Sequence, residues 1–206
     1  EFRRVLFRST YVPPRLLTNA DLEKLVQTTD EWILQRTGIR ERHVVDKGVA
    51  TSDLAAEAAR EAIRKAGLVP ADIDFIVVGT TTPDMFFPST ACLVQAKIGA
   101  TNAWGYDLGA ACSGFTYALT TASQLIAAGA SRRALVIGAD VMSSIIDYTD
   151  RTTCVLFGDG AGAAILRHRA HGHGVIATRM GSNGELAELL KVPGGGCALP
   201  ITAENA

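Results

Sequence analysis

The chain has 206 residues, enough for one ordinary domain with a buried core. Its 20 Lys and Arg residues face 21 Asp and Glu residues, so the net charge of −1 gives no strongly basic surface for nucleic acid or anionic lipid. A hydrophobic content of 48% argues against disorder, and the scattered charges leave no apolar run long enough to cross a bilayer. The four cysteines form no CxxC pair, which argues against a zinc cage or a disulfide framework and favours reduced thiols in a cytoplasmic protein.

The first ten residues, EFRRVLFRST, differ in character from those that follow. They contain three arginines, no initial Met, and an apolar run of only Val5, Leu6 and Phe7, which is too short for a secretory signal. We interpret residues 1–10 as a non-native segment left by assembly of the sequence. The fold is therefore expected to begin near Tyr11.

Three helices are predicted in the first third of the chain. Capping residues after an extended Pro13-Pro14 segment predict a short helix, and Thr28 or Thr29 caps a second one that stops at Gly38. A longer helix opens at Thr51-Ser52-Asp53 and carries an apolar stripe at helical spacing. The predicted ranges are 18–26, 30–36 and 51–66.

From Ile73 onward the pattern alternates between strands and helices. The run from Ile73 to Val78 is apolar and rich in β-branched residues, as expected of a strand buried on both faces. Short links between alternating elements predict parallel strands joined by right-handed crossovers. The predicted elements are strand 73–80, helix 90–98, strand 103–108, helix 113–128, strand 134–140, and strands 160–166 and 174–180. After Gly181 the periodicity fades, so residues 182–206 are interpreted as the truncated start of a connection to a further element.

Cys112 stands out because it lies at the join between a predicted buried strand and an apolar helix. A thiol at a helix N-terminus lies near unpaired N–H groups and the positive end of the helix dipole, which favour the thiolate. The small residues around it leave room for a substrate and for backbone approach to a developing oxyanion. These features predict a nucleophile for acyl transfer, with a small core residue as the alternative. Cys92 and Cys154 are interpreted as packing residues.

Several segments, taken in order, form a specific pattern: TNADLE at 18–23, DEWI at 30–33, RTGIRER at 36–42, FPSTAC at 87–92, the segment around Cys112, and FGDGAGA at 157–163. From about Tyr11 to its C-terminus the chain resembles β-ketoacyl-acyl carrier protein synthase III, a family of thiolase-fold condensing enzymes. The resemblance implies a layered α/β fold with a mixed, mainly parallel sheet over residues 11–181. It implies that this is the N-terminal half of a duplicated fold whose second half is absent.

The resemblance implies a decarboxylative Claisen condensation that starts fatty acid synthesis. The thiol matching Cys112 takes an acyl group, usually acetyl, from coenzyme A. The thioester is then attacked by the carbanion released from malonyl-acyl carrier protein. Coenzyme A enters as part of a substrate, so we expect no resident cofactor and no metal. The family's catalytic histidine and asparagine lie in the second half, and the chain alone is expected to be poorly active in condensation.

The resemblance also assigns binding residues, several of which the residues alone would assign differently. Without the family, Trp32 would be a core residue, Arg36 a solvated cation, and Phe87 part of a loop tucked into its own domain. In the family, the residue matching Phe87 reaches across a homodimer interface to bound the partner's acyl pocket. The residues assigned are Trp32, Arg36, Thr37 and Arg151 for coenzyme A, and Phe87, Leu156 and Phe157 for the acyl chain.

Two other functions remain open on the sequence. One is another thiolase-fold acyltransferase, of polyketide or hydroxymethylglutaryl-coenzyme A synthase type, and the other is a non-catalytic interaction module that pairs through the edge of strand 103–108. The glycine-rich run at 158–162 precedes a strand, which disfavours dinucleotide binding. His168, His171 and His173 are interpreted as solvated, with a metal site as the alternative.

Overall fold

The computed structural model of the chain describes residues 2–169 and 174–204. Helices and strands alternate through most of this range. In chain order they are β1 (Phe2–Tyr11), β2 (Arg15–Thr18), α1 (Asn19–Leu22), α2 (Asp30–Thr37), β3 (Glu41–Val44), α3 (Thr51–Lys65), β4 (Phe75–Gly79), α4 (Thr90–Ile98), β5 (Trp104–Leu108), α5 (Gly114–Ala127), β6 (Arg133–Val141) and β7 (Asp159–Arg169). Single turns of 3-10 helix occur at Pro70–Asp72, Ala111–Ser113 and Met142–Ser144, and a longer stretch at Gly184–Leu189.

Within the described residues, the strands form a five-stranded sheet in the order β1-β7-β6-β4-β5 and a two-stranded sheet of β2 and β3. β4 pairs in parallel with both β5 and β6. β7 is antiparallel to β6 on one side and to β1 on the other, so β7 alone runs against the other strands of this sheet. The prediction of a layered α/β fold with a mixed, mainly parallel sheet is confirmed.

Helices cover both faces of the large sheet because alternate strand residues point to opposite sides. Ile76 and Val78 of β4 belong to the apolar cluster formed with α3 and α4. Phe75 and Val77 belong to the cluster formed with α5. Alanines line the buried face of α3, which lets that helix pack closely on the sheet. The described residues thus form three layers, in which α3 and α4 cover one face of the large sheet and α5 covers the other.

The local signals predicted most of the helices well. α2 is capped by the Thr29 side chain and ends at Gly38, whose φ of 72° is in the left-handed region. α4 has the predicted bounds, and α3 and α5 differ from prediction by one or two residues at their ends. Strands β4 to β7 are likewise found where the apolar runs predict them.

Three predictions about elements are wrong. The first helix, predicted over 18–26, is only Asn19–Leu22 and is followed by turns. Residues 174–180 form no strand and are largely exposed. The expectation that the fold begins near Tyr11 is also corrected, because Phe2 to Tyr11 pair along β7 from Arg169 to Ala161. An edge strand leaves backbone groups free to pair, so an added strand needs little from its side chains. The interpretation of residues 1–10 as non-native stays a prediction, as do the boundaries 11–181 and 182–206.

Two further observations bear on the classes considered above. None of the helices in residues 2–169 and 174–204 has the length and apolar character that a membrane span requires. In the same part of the chain, no group of His, Cys, Asp and Glu side chains is arranged to hold a metal ion. His168 is exposed at the end of β7, whereas His171 and His173 lie outside the described residues.

Candidate active site

Cys112 lies in the one-turn 3-10 helix Ala111–Ser113, directly before α5, and its side chain is exposed. The preceding residue, Ala111, has a φ of 43°, a left-handed conformation that residues other than glycine rarely adopt. Such backbone strain costs about 1–3 kcal/mol and persists where the surrounding structure dictates it. Comparable strand-to-helix turns expose the nucleophile in other α/β enzymes. The turn therefore presents Cys112 outward, above the sheet.

Two glycines allow the start of α5 to lie directly on the sheet. A Cβ added to Gly79, the last residue of β4, would lie 2.6 Å from the carbonyl carbon of Gly114. A Cβ on Gly138 of β6 would meet the Cβ of Phe115 at 3.1 Å. The N-terminus of α5 thus sits over β4 and β6, near the carboxyl end of β4. Ligands of open α/β sheets bind at this edge, outside the carboxyl ends of the strands.

Trp32, Arg36 and Arg151 form a second cluster, although Arg151 is far from the others in sequence. The Arg36 Cζ lies 4.4 Å from the centroid of the Trp32 ring, and the Arg151 Cζ lies 4.8 Å from it. Arg36 follows Trp32 by four residues, so both lie on one face of α2. The Arg151 guanidinium also donates to the Gln27 carbonyl at 3.1 Å. One aromatic ring and two cations at a common surface suit the base and phosphates of a nucleotide.

Thr37, the fourth residue predicted to bind coenzyme A, is engaged within its own helix end. Its hydroxyl donates to the Ile33 carbonyl at 2.8 Å and accepts from the Ile39 N–H at 3.0 Å. These bonds satisfy backbone groups where α2 ends. A contact between Thr37 and a ligand stays a prediction.

The residues predicted to line an acyl pocket lie on two loops. Phe87 is 83% exposed on the loop between β4 and α4, so the alternative that this loop tucks into its own domain is wrong. Leu156 is exposed and Phe157 is half-buried in the segment before β7. The loops thus offer apolar surface, and the assignment of these three residues to an acyl pocket stays a prediction.

The other cysteines differ from one another in burial. Cys154 is fully buried, as predicted, and burial raises the pKa of its thiol, with the Asp150 carboxylate acting in the same direction. Cys92 is exposed, so its assignment as a packing residue is wrong. It lies in the first turn of α4, whose buried side is formed by other residues, and Ser89 Oγ donates to its Sγ at 3.2 Å. Cys197 is exposed.

Two buried polar residues that sequence reasoning missed connect these parts of the molecule. Asp159 in the glycine-rich run accepts from the Val45 N–H at 2.8 Å and from Ser143 N–H and Oγ at 2.8 and 2.6 Å. Arg42 is only 4% exposed and donates to the Val155 carbonyl and to Asn19 Oδ1, and its burial lowers its pKa. The sole sequence signal was a charged residue within or beside an apolar run, which is compatible with many other roles.

Close packing accounts for the first glycine of the run at 158–162. A Cβ on Gly158 would lie 3.0 Å from the His43 carbonyl oxygen and 3.2 Å from the Arg42 Cβ. The run therefore brings β7 against β3, a structural role that requires no nucleotide phosphate.

Comparison with known proteins identifies the family. The family model described as 3-Oxoacyl-[acyl-carrier-protein (ACP)] synthase III matches residues 106–184, which include Cys112. The Beta-ketoacyl-[acyl-carrier-protein] synthase III of Koribacter versatilis (strain Ellin345) is 56% identical over 198 residues, which are 95% of this chain and 60% of that protein. The enzyme of the same name from Caldanaerobacter subterraneus subsp. tengcongensis is 50% identical over 201 residues, covering 98% of this chain and 61% of that protein.

The fold leads to the same family. The crystal structure of 3-oxoacyl-[acyl-carrier-protein] synthase III from Aquifex aeolicus VF5 superposes with a TM-score of 0.87 at 46% identity, over 89% of this chain and 59% of that one. The chain thus spans about 60% of the length of these relatives. By sequence and by its thiolase-like α/β fold, the chain belongs to the 3-oxoacyl-[acyl-carrier-protein] synthase III family.

Proposed function

We propose that Cys112 is the acyl-accepting nucleophile of a β-ketoacyl-acyl carrier protein synthase III that starts fatty acid synthesis. The observation that carries this proposal is the exposed thiol on a strained turn at the N-terminus of α5, inside the segment that matches the family model. The start of α5 places the positive end of the helix dipole and free backbone N–H groups beside this thiol.

The chemistry has two steps. The Cys112 thiolate attacks the thioester carbonyl of acyl-coenzyme A, the carbon–sulfur bond to coenzyme A breaks, and the released thiolate takes up a proton. Malonyl-acyl carrier protein then loses carbon dioxide, and the resulting carbanion attacks the acyl carbon on Cys112. The new carbon–carbon bond forms as the Cys112 thiolate leaves. Backbone N–H groups near Cys112 would stabilise the oxyanion that develops in each attack.

Coenzyme A would bind as part of a substrate, with no resident cofactor. The Trp32 ring offers a stacking surface for adenine, and the Arg36 and Arg151 guanidinium groups supply positive charge for the phosphates. Both arginines are exposed, so a nucleotide can reach them. Thr37 would contribute through its position at the end of α2.

Phe87 would contact a second copy of the chain. An aromatic side chain that is 83% exposed beside Phe86 and Met85 forms an apolar tip of the kind that protein interfaces cover. Leu156 and Phe157 would line the acyl chain's path, with Phe87 supplied by the partner. We expect such a homodimer to act in the cytoplasm, together with acyl carrier protein.

The acyl-transfer step can be tested on the chain itself. After incubation with labelled acetyl-coenzyme A, mass spectrometry of peptides should locate the acetyl group on Cys112 and should show its loss in Cys112→Ser. Cys197→Ser is the matched control, because it removes a different exposed thiol. Labelling that persists in Cys112→Ser would contradict the proposal.

A second assay, on the full-length enzyme, separates the alternative functions. A plant-type polyketide synthase or a hydroxymethylglutaryl-type acyltransferase would also label at Cys112, so the test is whether malonyl-acyl carrier protein or malonyl-coenzyme A discharges the acyl-enzyme. Discharge by malonyl-acyl carrier protein would favour the proposed function. The non-catalytic alternative depends on β5, which pairs only with β4 in the described sheet. Concentration-dependent association without any acyl adduct would favour that alternative.

A further inference from the structure

The loop between β4 and α4, residues 80–89, links the candidate active site to the exposed apolar tip. It begins directly after Gly79, which lies against Gly114 at the start of α5. It carries Met85, Phe86 and Phe87, here called the tip, and Phe86 and Phe87 are 86% and 83% exposed. Side chains with so much exposed surface make few packing contacts within the chain. The conformation of the tip therefore depends on how the rest of the loop is held.

A carboxylate of β6 holds the first part of this loop. Asp140 Oδ1 accepts from the Thr81 N–H at 2.8 Å and from the Thr82 N–H at 3.2 Å. The hydroxyls of Thr80, Thr81 and Thr82 also donate to this oxygen, at 3.0 to 3.1 Å. Because the acceptor is charged, such bonds are stronger than those between neutral groups.

Asp84 holds the middle of the loop, immediately before the tip. Its carboxylate accepts from the Ser52 N–H at 2.8 Å and from the Ser52 hydroxyl at 2.6 Å, which fastens the loop to the first turn of α3. On the other side of the tip, Asp107 of β5 accepts from the Thr90 and Ala91 N–H groups at 2.6 and 2.8 Å. Three carboxylates thus fix the backbone on both sides of an exposed apolar segment.

We propose that Asp84 and Asp140 are positioning residues that hold the tip in one conformation and so set the acyl-chain selectivity of the enzyme. Neither residue needs to touch substrate. Asp140 fixes the end of the loop beside the Cys112 turn, and Asp84 fixes the end beside Phe87. The selectivity part rests on the proposed function, in which Phe87 bounds an acyl pocket.

The hold of Asp84 and Asp140 on the loop is here called the clamp. Limited digestion by chymotrypsin tests the clamp without requiring any enzymatic activity. The Phe86–Phe87 bond is the sensitive site, and fragments beginning at Phe87 identify cleavage there. Asp84→Ala should raise the cleavage rate about tenfold, the lower end of the effect expected when bonds to a carboxylate are lost. Asp84→Asn, which keeps one acceptor oxygen, should be intermediate.

Asp53→Ala is the matched control for damage to the N-terminus of α3. Asp53 lies in the same first turn of α3 as Ser52, accepts from the Ala50 N–H and from Lys97 of α4, and makes no hydrogen bond to residues 80–89. The clamp predicts slow cleavage in Asp53→Ala. Equal cleavage in Asp53→Ala and Asp84→Ala, or no increase in Asp84→Ala, would overturn the proposal.

Acyl transfer to Cys112 supplies a readout that general destabilisation would not move. The ratio of labelling rates with octanoyl-coenzyme A and acetyl-coenzyme A should change about threefold or more in Asp84→Ala and Asp140→Asn, and should stay unchanged in Asp53→Ala. A parallel fall of both rates would refute the selectivity role. If the unsubstituted chain is not acylated at all, the proposed function and the selectivity role both fail, and the chymotrypsin rates still decide the clamp.

Discussion

Substitution of Trp32 by alanine tests most directly the proposal that Trp32, Arg36 and Arg151, here called the nucleotide cluster, bind coenzyme A. The substitution removes the ring over which the Arg36 and Arg151 guanidinium groups lie at 4.4 and 4.8 Å. Stacking of a base on an aromatic side chain contributes about 1–3 kcal/mol. Loss of that stacking should raise the Kd for coenzyme A by about fivefold to 150-fold.

The lost cation–π contacts should add to this effect through the arginines. Each exposed pair is worth about 0.5–1 kcal/mol. Without the ring, Arg36 loses its stacking contact, and Arg151 keeps its hydrogen bond to the Gln27 carbonyl. Their charges remain in Trp32→Ala, so the salt dependence of binding should be retained. The salt dependence should be weaker in Arg36→Gln or Arg151→Gln, since each removes a cation from the proposed phosphate site.

Isothermal titration with coenzyme A measures these changes, and Trp104→Phe supplies a control. Trp104 is the only other tryptophan in the chain, and it lies on β5 with its ring 4.5 Å from that of Phe75. Trp104→Phe should bind normally and leaves Trp32 as the sole indole, whose fluorescence should then respond to the ligand. A Kd for Trp32→Ala within twofold of the unsubstituted chain would refute the assignment, as would an equal loss in Trp104→Phe.

Three further predictions concern titration, thiol reactivity and packing. Hydrogen bonds from the Thr18 hydroxyl, the larger cause, and from the Lys24 ammonium lower the pKa of the Asp21 carboxyl from 3.8 to about 2. The stabilisation that Asp21 contributes should therefore be complete above its unfolded pKa and lost as pH falls towards 2. NMR titration of its carboxyl carbon measures this pKa, and an unshifted value would contradict the capping role. Iodoacetamide should modify the three exposed thiols of the native chain while sparing Cys154 until the chain unfolds, and equal rates at all four would be contrary evidence. Gly79→Ala should lower the free energy of unfolding in urea by about 1–3 kcal/mol through its clash with α5, whereas Gly109→Ala, which meets nothing within 4 Å, should have little effect; similar losses in both would argue against the close contact.

Local signals predicted the helices well because several of them coincide at each end. α2 has a capping hydroxyl, acidic residues in its first turn and a terminal glycine, all within ten positions of sequence. Strands are harder to predict because they need a partner. Residues 174–180 read as a strand on composition yet form none, whereas residues 2–11 pair with β7 despite their arginines. Apolar patterning does not report whether a neighbouring edge exists.

The candidate site likewise has features that the sequence could predict and features that it could not. Cys112 could be found from sequence because a buried strand, small residues and an apolar helix are consecutive there. The left-handed φ of Ala111 could not be found from sequence, since it arises where the turn meets the packed sheet. Trp32 and Arg36 are four residues apart on one helix, but only the resemblance to a family linked Arg151 to them. Cys92 shows the opposite failure, because an apolar sequence context did not reveal that it lies on the outer side of α4.

The nucleotide cluster is attached to the rest of the molecule by apolar and by polar contacts. Trp32 packs against a small apolar cluster that is separate from the two clusters on the sheet and includes Ile33 and Val155. Arg42 of β3 donates to the carbonyl of Val155, a member of this apolar cluster. Three residues further along the chain, the Val45 N–H donates to Asp159 at the start of β7. Buried polar groups that are fully paired specify one arrangement more strictly than apolar contacts do. The position of Trp32 relative to the rest of the fold therefore depends in part on the hydrogen bonds of Arg42 and Asp159, which apolar periodicity alone could not predict.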